Sequence, residues 1–234
     1  MLIQNMNWMD VEDYLKNDDR VILPLGSVEQ HAYLSLMTDA ILAQKVSEDA
    51  AEPLGIPVMP VLPYGMAPYF QSYPGTVSLK PTTYFTLVRE LLDNLYRTGF
   101  RRILIVNGHG GNSPVLAEIQ DWLADHDDAK VKLHNWWAAP ATMNCVKEID
   151  PVASHASWME NFPWTRIADV VLPAEPKPMI ELSHNRQLSA NKVRDYVGDG
   201  NYGGAYIKSD EEMLKLWQIG VEETRIEIEQ NWAP

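Results

Sequence analysis

Glu29 and His31 lie two residues apart in the stretch Gly26-Ser27-Val28-Glu29-Gln30-His31, and Asp39 follows where a helical pattern opens. On extended backbone, side chains two apart point the same way, so a carboxylate and an imidazole would face one spot. Asp39 brings a second carboxylate, which also suits the N-cap of a helix beginning Ala40-Ile41-Leu42. Two hard oxygens and one imidazole make a divalent-metal half-site. The competing interpretation is a surface pair and a plain helix cap, because Glu-x-His is short and degenerate. These three residues alone leave both open.

A second candidate is His109 in Asn107-Gly108-His109-Gly110-Gly111-Asn112. Glycine-rich turns before helices cradle phosphates, but neither the Gly-x-x-x-x-Gly-Lys nor the Gly-x-Gly-x-x-Gly pattern is present. The glycines could instead let the backbone fold closely enough to aim His109 at a neighbouring strand end, with Asn107 bracing the turn. A buried structural histidine is the alternative. His155 and Glu160 are five apart, a spacing that regular helix does not put on one face; a helix starting between them leaves His155 before the turn and Glu160 inside it. Of the paired aromatics Trp136-Trp137, one suits the core and the other the wall of a pocket. Cys145 is the only cysteine, which excludes an internal disulfide and reads as a small buried hydrophobe.

Positioning these residues falls to an alternation of strand and helix. A short helix over 8–16 introduces a strand at Arg20 to Leu25, and a helix from Asp39 stops near Pro53 and Gly55. Ile56 to Leu62 is strand-like, with prolines that put it at an edge or make it irregular. Pro63 to Lys80 has no helical period, and a loop that long inside a domain is usually functional; Thr76 to Leu79 suits a short strand. Tyr84, Leu87, Val88, Leu91, Leu92 and Leu95 form the apolar stripe of a helix after Pro81, closed by Gly99. Arg101 to Val106 reads as a central parallel strand buried on both faces, and it ends at the His109 loop. Ser113-Pro114 marks a helix start. Lys130 to Trp137 and Ile167 to Leu172 are further strands, and Ser209-Asp-Glu-Glu212 is a capping box before a last helix. Nothing periodic places residues 173–201.

Length and composition frame these patterns. The 234 residues suit one domain, 1–234, and 46% apolar with 22% charged residues is the composition of a soluble globular protein. A formal charge of −13 disfavours nucleic acid and anionic membranes as partners. No apolar run approaches the roughly 20 residues of a membrane span, and Met1-Leu2-Ile3-Gln4 lacks the basic flank of a signal peptide, so the expectation is a cytoplasmic protein.

Gly26-Ser27-x-Glu29-Gln30-His31 with Thr38-Asp39, Pro74-Gly75-Thr76-x-Ser78-Leu79 and Asn107-Gly108-His109-Gly110-Gly111-Asn112, in that order, resemble the creatininase family of metal-dependent amidohydrolases. His155-Ala156 to Glu160 and Gly203-Gly204 also resemble family features in their expected order. The resemblance implies an α/β fold, a three-layer α/β/α sandwich with a mostly parallel central sheet, assembled as a homohexamer. It implies two divalent ions per chain, Zn2+ or Mn2+, with Glu29, Asp39 and His109 resembling the ligands of one and His31, Asp39 and Glu160 those of the other. In creatininase itself the last glutamate lies two residues after the loop histidine, where this chain has Gly111. His155 resembles the family's proton-transferring histidine, and Trp136 or Trp137 its substrate-covering tryptophan. Leu34 stands where the familiar motif has a second histidine, which makes creatinine a doubtful substrate.

The activity implied is cleavage of a C–N amide bond of a small-molecule amide, cyclic as in creatininase, by a hydroxide shared between two metals, with His155 as proton shuttle. A linear-amide hydrolase, deformylase or small peptidase, would share the metal site and differ in pocket residues such as Tyr33, Met66, Gln71, Tyr73 and Trp158. A metal-stabilised binding protein without catalysis is the reading from a different class, and fold alone does not decide among them.

Overall fold

Alternate residues of the strands at 20–25 and 102–107 carry apolar side chains to opposite faces, and this decides the layering. The computed structural model describes residues 1–185, 187–230 and 232. In chain order α1 (Trp8–Leu15) leads into β1 (Arg20–Leu25), α2 (Thr38–Ala51), α3 (Pro81–Thr98), β2 (Arg102–Asn107), α4 (Leu116–Leu123), β3 (Lys130–Asn135), α5 (Pro140–Ile149), α6 (Leu182–Asn185), α7 (Ala190–Val197) and α8 (Asp210–Glu229). The three strands form a parallel sheet in the order β1-β2-β3. Ile22, Leu104 and Val106 pack on one face against residues of α2, α5 and α8. Val21, Leu23, Leu25, Ile103 and Ile105 pack on the other against Tyr84, Val88 and Leu92 of α3 and Ile119 and Trp122 of α4. The result is an α/β/α sandwich.

Parallel register brings Leu25 opposite Asn107 and Asn107 opposite Asn135, so all three strands end at one level. Loops leaving that edge carry the candidate residues, as expected for ligand sites in parallel sheets.

Two predicted strands are not strands, and a third run is irregular at the sheet edge, as its prolines imply. Residues 56–62 run beside β1 but join it only through single bridges at Val58 and Leu62, because Pro57 and Pro60 have no N–H to continue a ladder. Thr76 to Leu79 likewise contributes bridges, Val77 to Val28 and Ser78 to Gly65. Residues 167–172 form exposed irregular chain, with Val171 fully on the surface and Asp169 at a φ of 63°. Asp39 is not a cap either: α2 starts at Thr38 after Met37, which leaves the Asp39 carboxylate in the first turn, where the helix dipole favours it. A 3-10 turn over Gly110–Val115 delays α4 beyond the predicted Ser113-Pro114 start. The capping box at Ser209 and Glu212 is formed as read.

The segment with no sequence signal, 173–201, builds a cap. Val193 and Val197 of α7 pack with Phe70, Tyr73 and the partly buried Tyr202, beside the strand ends.

Ile105, fully buried in the central strand, tests the layering. Ile105→Ala should lower unfolding free energy by about 2–5 kcal/mol in urea titration; a loss below about 1 kcal/mol would mean that face is not a packed core.

Candidate metal centre

The first loop is held in place by backbone pairing. Glu29 N–H donates to the Leu36 carbonyl at 3.0 Å and Gln30 N–H to Thr76 Oγ1 at 3.0 Å, while Val77 N–H donates to the Val28 carbonyl at 2.8 Å. Pro74 to Leu79 thus acts as a brace for the residues that present Glu29 and His31. The second loop is tied by Asn107, whose Nδ2 donates to the His109 carbonyl at 2.7 Å and to Asn135 Oδ1 at 2.8 Å, and whose Oδ1 accepts from His109 N–H at 3.2 Å. Gly108 lets this loop touch α2: a Cβ there would stand 2.4 Å from the Asp39 carbonyl oxygen.

Asp39 is at the centre. Its Oδ1 is 3.1 Å from His31 Nε2 and its Oδ2 is 3.0 Å from His109 Nδ1. Glu29 Oε1 lies 3.3 Å from His109 Nδ1, and Glu160 Oε2 3.9 Å from His31 Nε2. Two donor groups result, Glu29/Asp39/His109 and His31/Asp39/Glu160, each with ligand atoms within 4.8 Å of one another and with Asp39 common to both. A third overlapping group, Glu29/His31/His155, satisfies the same spacing.

These donors fit divalent cations by an observation independent of family. Glu29 Oε2, His31 Nε2 and Asp39 Oδ2 are buried and have no hydrogen-bond partner among the described residues. Carboxylates and imidazoles stand about a hydrogen bond apart yet miss hydrogen-bond geometry, as atoms converging on a third body do. The far ring nitrogens are occupied: His31 Nδ1 donates to the Glu29 carbonyl at 3.2 Å and His109 Nε2 to the Met66 carbonyl at 3.0 Å. Those bonds leave Nε2 of His31 and Nδ1 of His109 turned inward, able to bind a cation once it displaces their protons, the usual device for metal-binding histidines.

Glu160 comes from the 3-10 turn Trp158–Glu160 rather than an α-helix, and its Oε2 accepts Ala156 N–H at 2.6 Å. Ala156 pays for that with a left-handed φ of 58°, and Ala32 beside His31 has 49°. A glutamate at position 111 would not fit here: a Cβ on Gly111 would meet the Met66 carbonyl at 2.2 Å and would crowd the His109 ring.

Without cations, electrostatics load the cluster with protons. Burial opposes protonation of His31, but Asp39, Glu160 and Glu29 override it and push its pKa up to about 10. His109 is likewise raised, burial losing to Glu29 and Asp39. Burial pushes Glu160 up to about 7, against the pull of His31. Asp39 is lowered despite burial, by His31 and His109.

His155 differs. Burial, reinforced by the positive His31 nearby, holds it well below its ordinary pKa. Its ring stacks on Phe70 at 4.8 Å, and its Nδ1 is 3.7 Å from Glu29 Oε1. Gln30 Oε1 accepts Ala32 N–H at 3.0 Å and Gln30 Nε2 donates to the Gly200 carbonyl at 3.2 Å, so the amide is oriented with N–H towards His155 Nε2 at 2.8 Å. The Gln30 carbonyl lies 3.2 Å from the same nitrogen and would accept its proton in the other tautomer. Either protonation state of Nε2 has a partner.

A cavity of about 630 Å3 opens over the cluster, lined by Glu29, Asp39, His109, His155, Glu160 and, among others, Trp137. Of the sequence-predicted substrate residues only Trp137 lines it. Trp136 is core, packed on Gly220 and edge-on to Trp217 at 5.5 Å. Trp158 is fully buried, its Nε1 donating to the Val152 carbonyl at 3.0 Å. Tyr73 supports the cap through a hydrogen bond from its hydroxyl to the Gly198 carbonyl at 3.1 Å. Tyr33, Met66 and Gln71 do not line it either. Phe70, Tyr202 and Asn185 do, and sequence reasoning missed them; Phe70 sits in the long Pro-Gly-Tyr loop that was itself a signal, but Asn185 lies where no pattern exists.

The sequence profile of the creatininase family, described as creatinine amidohydrolase, matches residues 4–225. The chain belongs to the creatininase family. Creatinine amidohydrolase of Pseudomonas putida is 31% identical over 150 residues, covering 58% of each chain. The 3-dehydro-scyllo-inosose hydrolase of Thermotoga maritima is 31% identical over 46% of this chain and 35% of its own length. The mycofactocin precursor peptide peptidase of Mycolicibacterium smegmatis is 39% identical over 42% of each. The chain therefore spans about half or less of these relatives. Creatininase crystal structures share the fold across the whole chain, one at a TM-score of 0.78 and 23% identity, covering 98% of that chain, and a manganese form at 0.79 and 23%, covering 99%.

Proton loading of the cluster has a measurable consequence. His31 titrates near 10 without metal, so below that pH a cation must displace its proton, and that of His109 as well. Zinc added to metal-free protein between pH 6 and 8 should release protons, and apparent affinity should rise about tenfold per pH unit for each proton displaced. Calorimetry in buffers of different ionisation enthalpy checks this, and pH-independent binding without proton release would refute the donor set.

Proposed function

We propose that the chain is a metal-dependent amidohydrolase that cleaves a C–N amide bond at a dinuclear centre. The observation that carries the proposal is the shared Asp39 carboxylate, with one oxygen towards His31 and the other towards His109. Glu29 and His109 would complete one site and His31 and Glu160 the other. Two divalent cations so held would lower the pKa of a water between them and polarise a carbonyl oxygen. Zinc and manganese both suit a mixed imidazole and carboxylate set, and solved creatininases include a manganese form and a zinc-zinc form.

His155 is the proton carrier in this reading. It is neutral at pH 7, faces the cluster through Nδ1, and keeps a partner at Nε2 in each protonation state, the Gln30 amide N–H for the lone pair and the Gln30 carbonyl for the proton. With its own proton on Nε2 and given to the Gln30 carbonyl, its Nδ1 can accept a proton from water and pass it to the departing nitrogen. Water supplies OH to the acyl carbon and H to the amine, and the C–N bond breaks. Phe70 and Tyr202 against the ring restrict water around it. On the same reading, which draws on family resemblance, the chain assembles as a homohexamer in the cytoplasm.

His155→Ala should retain the wild-type metal content by elemental analysis and lose about 100-fold or more in turnover, within the usual range for general acid–base groups. Survival of activity would remove His155 from the mechanism. Glu160→Gln should lower bound metal from two equivalents towards one; unchanged content would exclude Glu160 as a ligand. No tightly bound metal in wild-type protein reconstituted with zinc or manganese would overturn the hydrolase reading in favour of a binding protein.

A further inference from the structure

Asp199, Gly200 and Asn201, at the end of the segment that carries no sequence signal, form a turn tied to His155 from two sides. Just after it, Tyr202 N–H donates to the His155 carbonyl at 3.1 Å and Ser154 Oγ donates to the Gly203 carbonyl at 2.6 Å, so the main chain that carries the imidazole is paired with this chain. Within the turn, the Gly200 carbonyl accepts Gln30 Nε2 at 3.2 Å, and that nitrogen is 2.8 Å from His155 Nε2. The imidazole meets the turn through its own main chain and through the Gln30 carboxamide.

Position 200 requires glycine. Its φ is 106°, a conformation that glycine adopts without steric cost. A Cβ there would strike the Gln30 carboxamide, whose oxygen, carbon and nitrogen would be its three nearest atoms. Asp199 holds the turn in this shape: its Oδ1 accepts Asn201 N–H at 3.2 Å and pairs with Lys177 Nζ, and its Oδ2 accepts the Tyr206 hydroxyl at 2.6 Å. Lys177 is itself joined to Gly204, its N–H donating to the Gly204 carbonyl at 3.0 Å and its carbonyl accepting Gly204 N–H at 2.8 Å. One carboxylate therefore ties three points of chain around Gly200, with the stronger class of hydrogen bond. Asp199, Gly200, Lys177 and Tyr206 supply no donor to the metal cluster and line no part of its cavity. Torsion about the Cβ–Cγ bond of a histidine is soft, so a ring aimed at a reacting atom needs contacts that hold it.

We propose that the Asp199–Gly200 turn is a positioning element for the proton-transfer step: Asp199 fixes the Gly200 carbonyl, the carbonyl fixes the Gln30 carboxamide, and the carboxamide holds the His155 ring with Nδ1 towards the cluster. Asp199 and Gly200 are positioning residues that act through Gln30. The catalytic consequence rests on the amidohydrolase reading; the placement of the ring does not.

Two readouts test it, one of which needs no turnover. In metal-free full-length chain, the His155 ring Cε1–H resonance, assigned by its absence in His155→Ala, should shift or broaden in both Gly200→Ala and Gln30→Ala; an unchanged signal in Gly200→Ala overturns the proposal. Kinetics use zinc-reconstituted chain and whichever of creatinine, N-formylmethionine and N-acetylglycinamide the wild type hydrolyses. Gly200→Ala and Gln30→Ala should each lower kcat about tenfold, with KM within about twofold and metal content unchanged. The double variant should fall no more than about twofold below the lower single, because both changes remove one contact; losses that multiply to about 100-fold, or lost metal, overturn the proposal. Thermal unfolding gives the folded fraction, so that strain from a left-handed alanine is not counted as lost kcat. Should Gly200→Ala fail to fold, Asp199→Ala takes its place and should lower kcat severalfold, while Asp199→Asn, whose carboxamide can keep all three bonds, should stay within about twofold of wild type; equal activity of these two variants overturns the proposal. A moved ring signal without hydrolysis of any probe by wild type keeps the positioning and counts against the amidohydrolase, whereas hydrolysis with an unmoved signal sinks the positioning alone.

Discussion

One buried carboxylate sets the terms for the strand ends of this protein. Asp39 is 2% exposed, and both its oxygens face imidazole nitrogens delivered by different loops. A buried charge must be matched, and here it is matched from two directions at once. That requirement fixes how α2 meets the β1 and β2 loops. Gly108 permits the approach, the first turn of α2 supplies the favourable dipole, and Asn107 closes the loop that carries His109.

Around this carboxylate the rest of the cluster is held by backbone rather than by other charges. His31 and His109 each give their second nitrogen to a carbonyl, Glu160 takes the Ala156 amide, and Gln30 is fixed by Ala32 and Gly200. Backbone partners do not titrate, so the inward-facing atoms keep their direction across pH. Left-handed alanines at 32 and 156 are consistent with local strain accepted where geometry matters most.

The core sandwich and the cluster were legible in the sequence for different reasons. β1 and β2 are buried on both faces, so their apolar runs read directly, and the candidate donors Glu29, His31, Asp39 and His109 follow strand ends or open a helix. Glu160 could be named only through resemblance, because a 3-10 turn after a left-handed alanine has no periodic signature. The run at 56–62 lies irregular at the sheet edge, as its prolines imply, whereas the predicted strand at 167–172 is exposed irregular chain, because an apolar run alone does not report burial. Trp136 and Trp158 went to the core because a large aromatic satisfies burial and a hydrogen bond in either place; only the partner, Trp217 or the Val152 carbonyl, separates the two. The cap formed by α6 and α7 was illegible, since its order depends on Phe70 and Tyr73 far away in sequence.

Gly111 shows how a ligand set can move without changing the centre. With His109 Nε2 bonded to the Met66 carbonyl, any side chain at 111 would strike that oxygen and the ring, so a loop glutamate is incompatible with this His109 conformation. A carboxylate from another element must then serve the His31 side of Asp39. Glu160 stands in that place, on the turn that follows His155, which ties the second donor group to the proposed proton carrier through five residues of chain. On the proposed function, changes that shift that turn act on metal retention and on proton transfer together. The cap above it, resting on Phe70 and Tyr202 against His155, sets what can approach both.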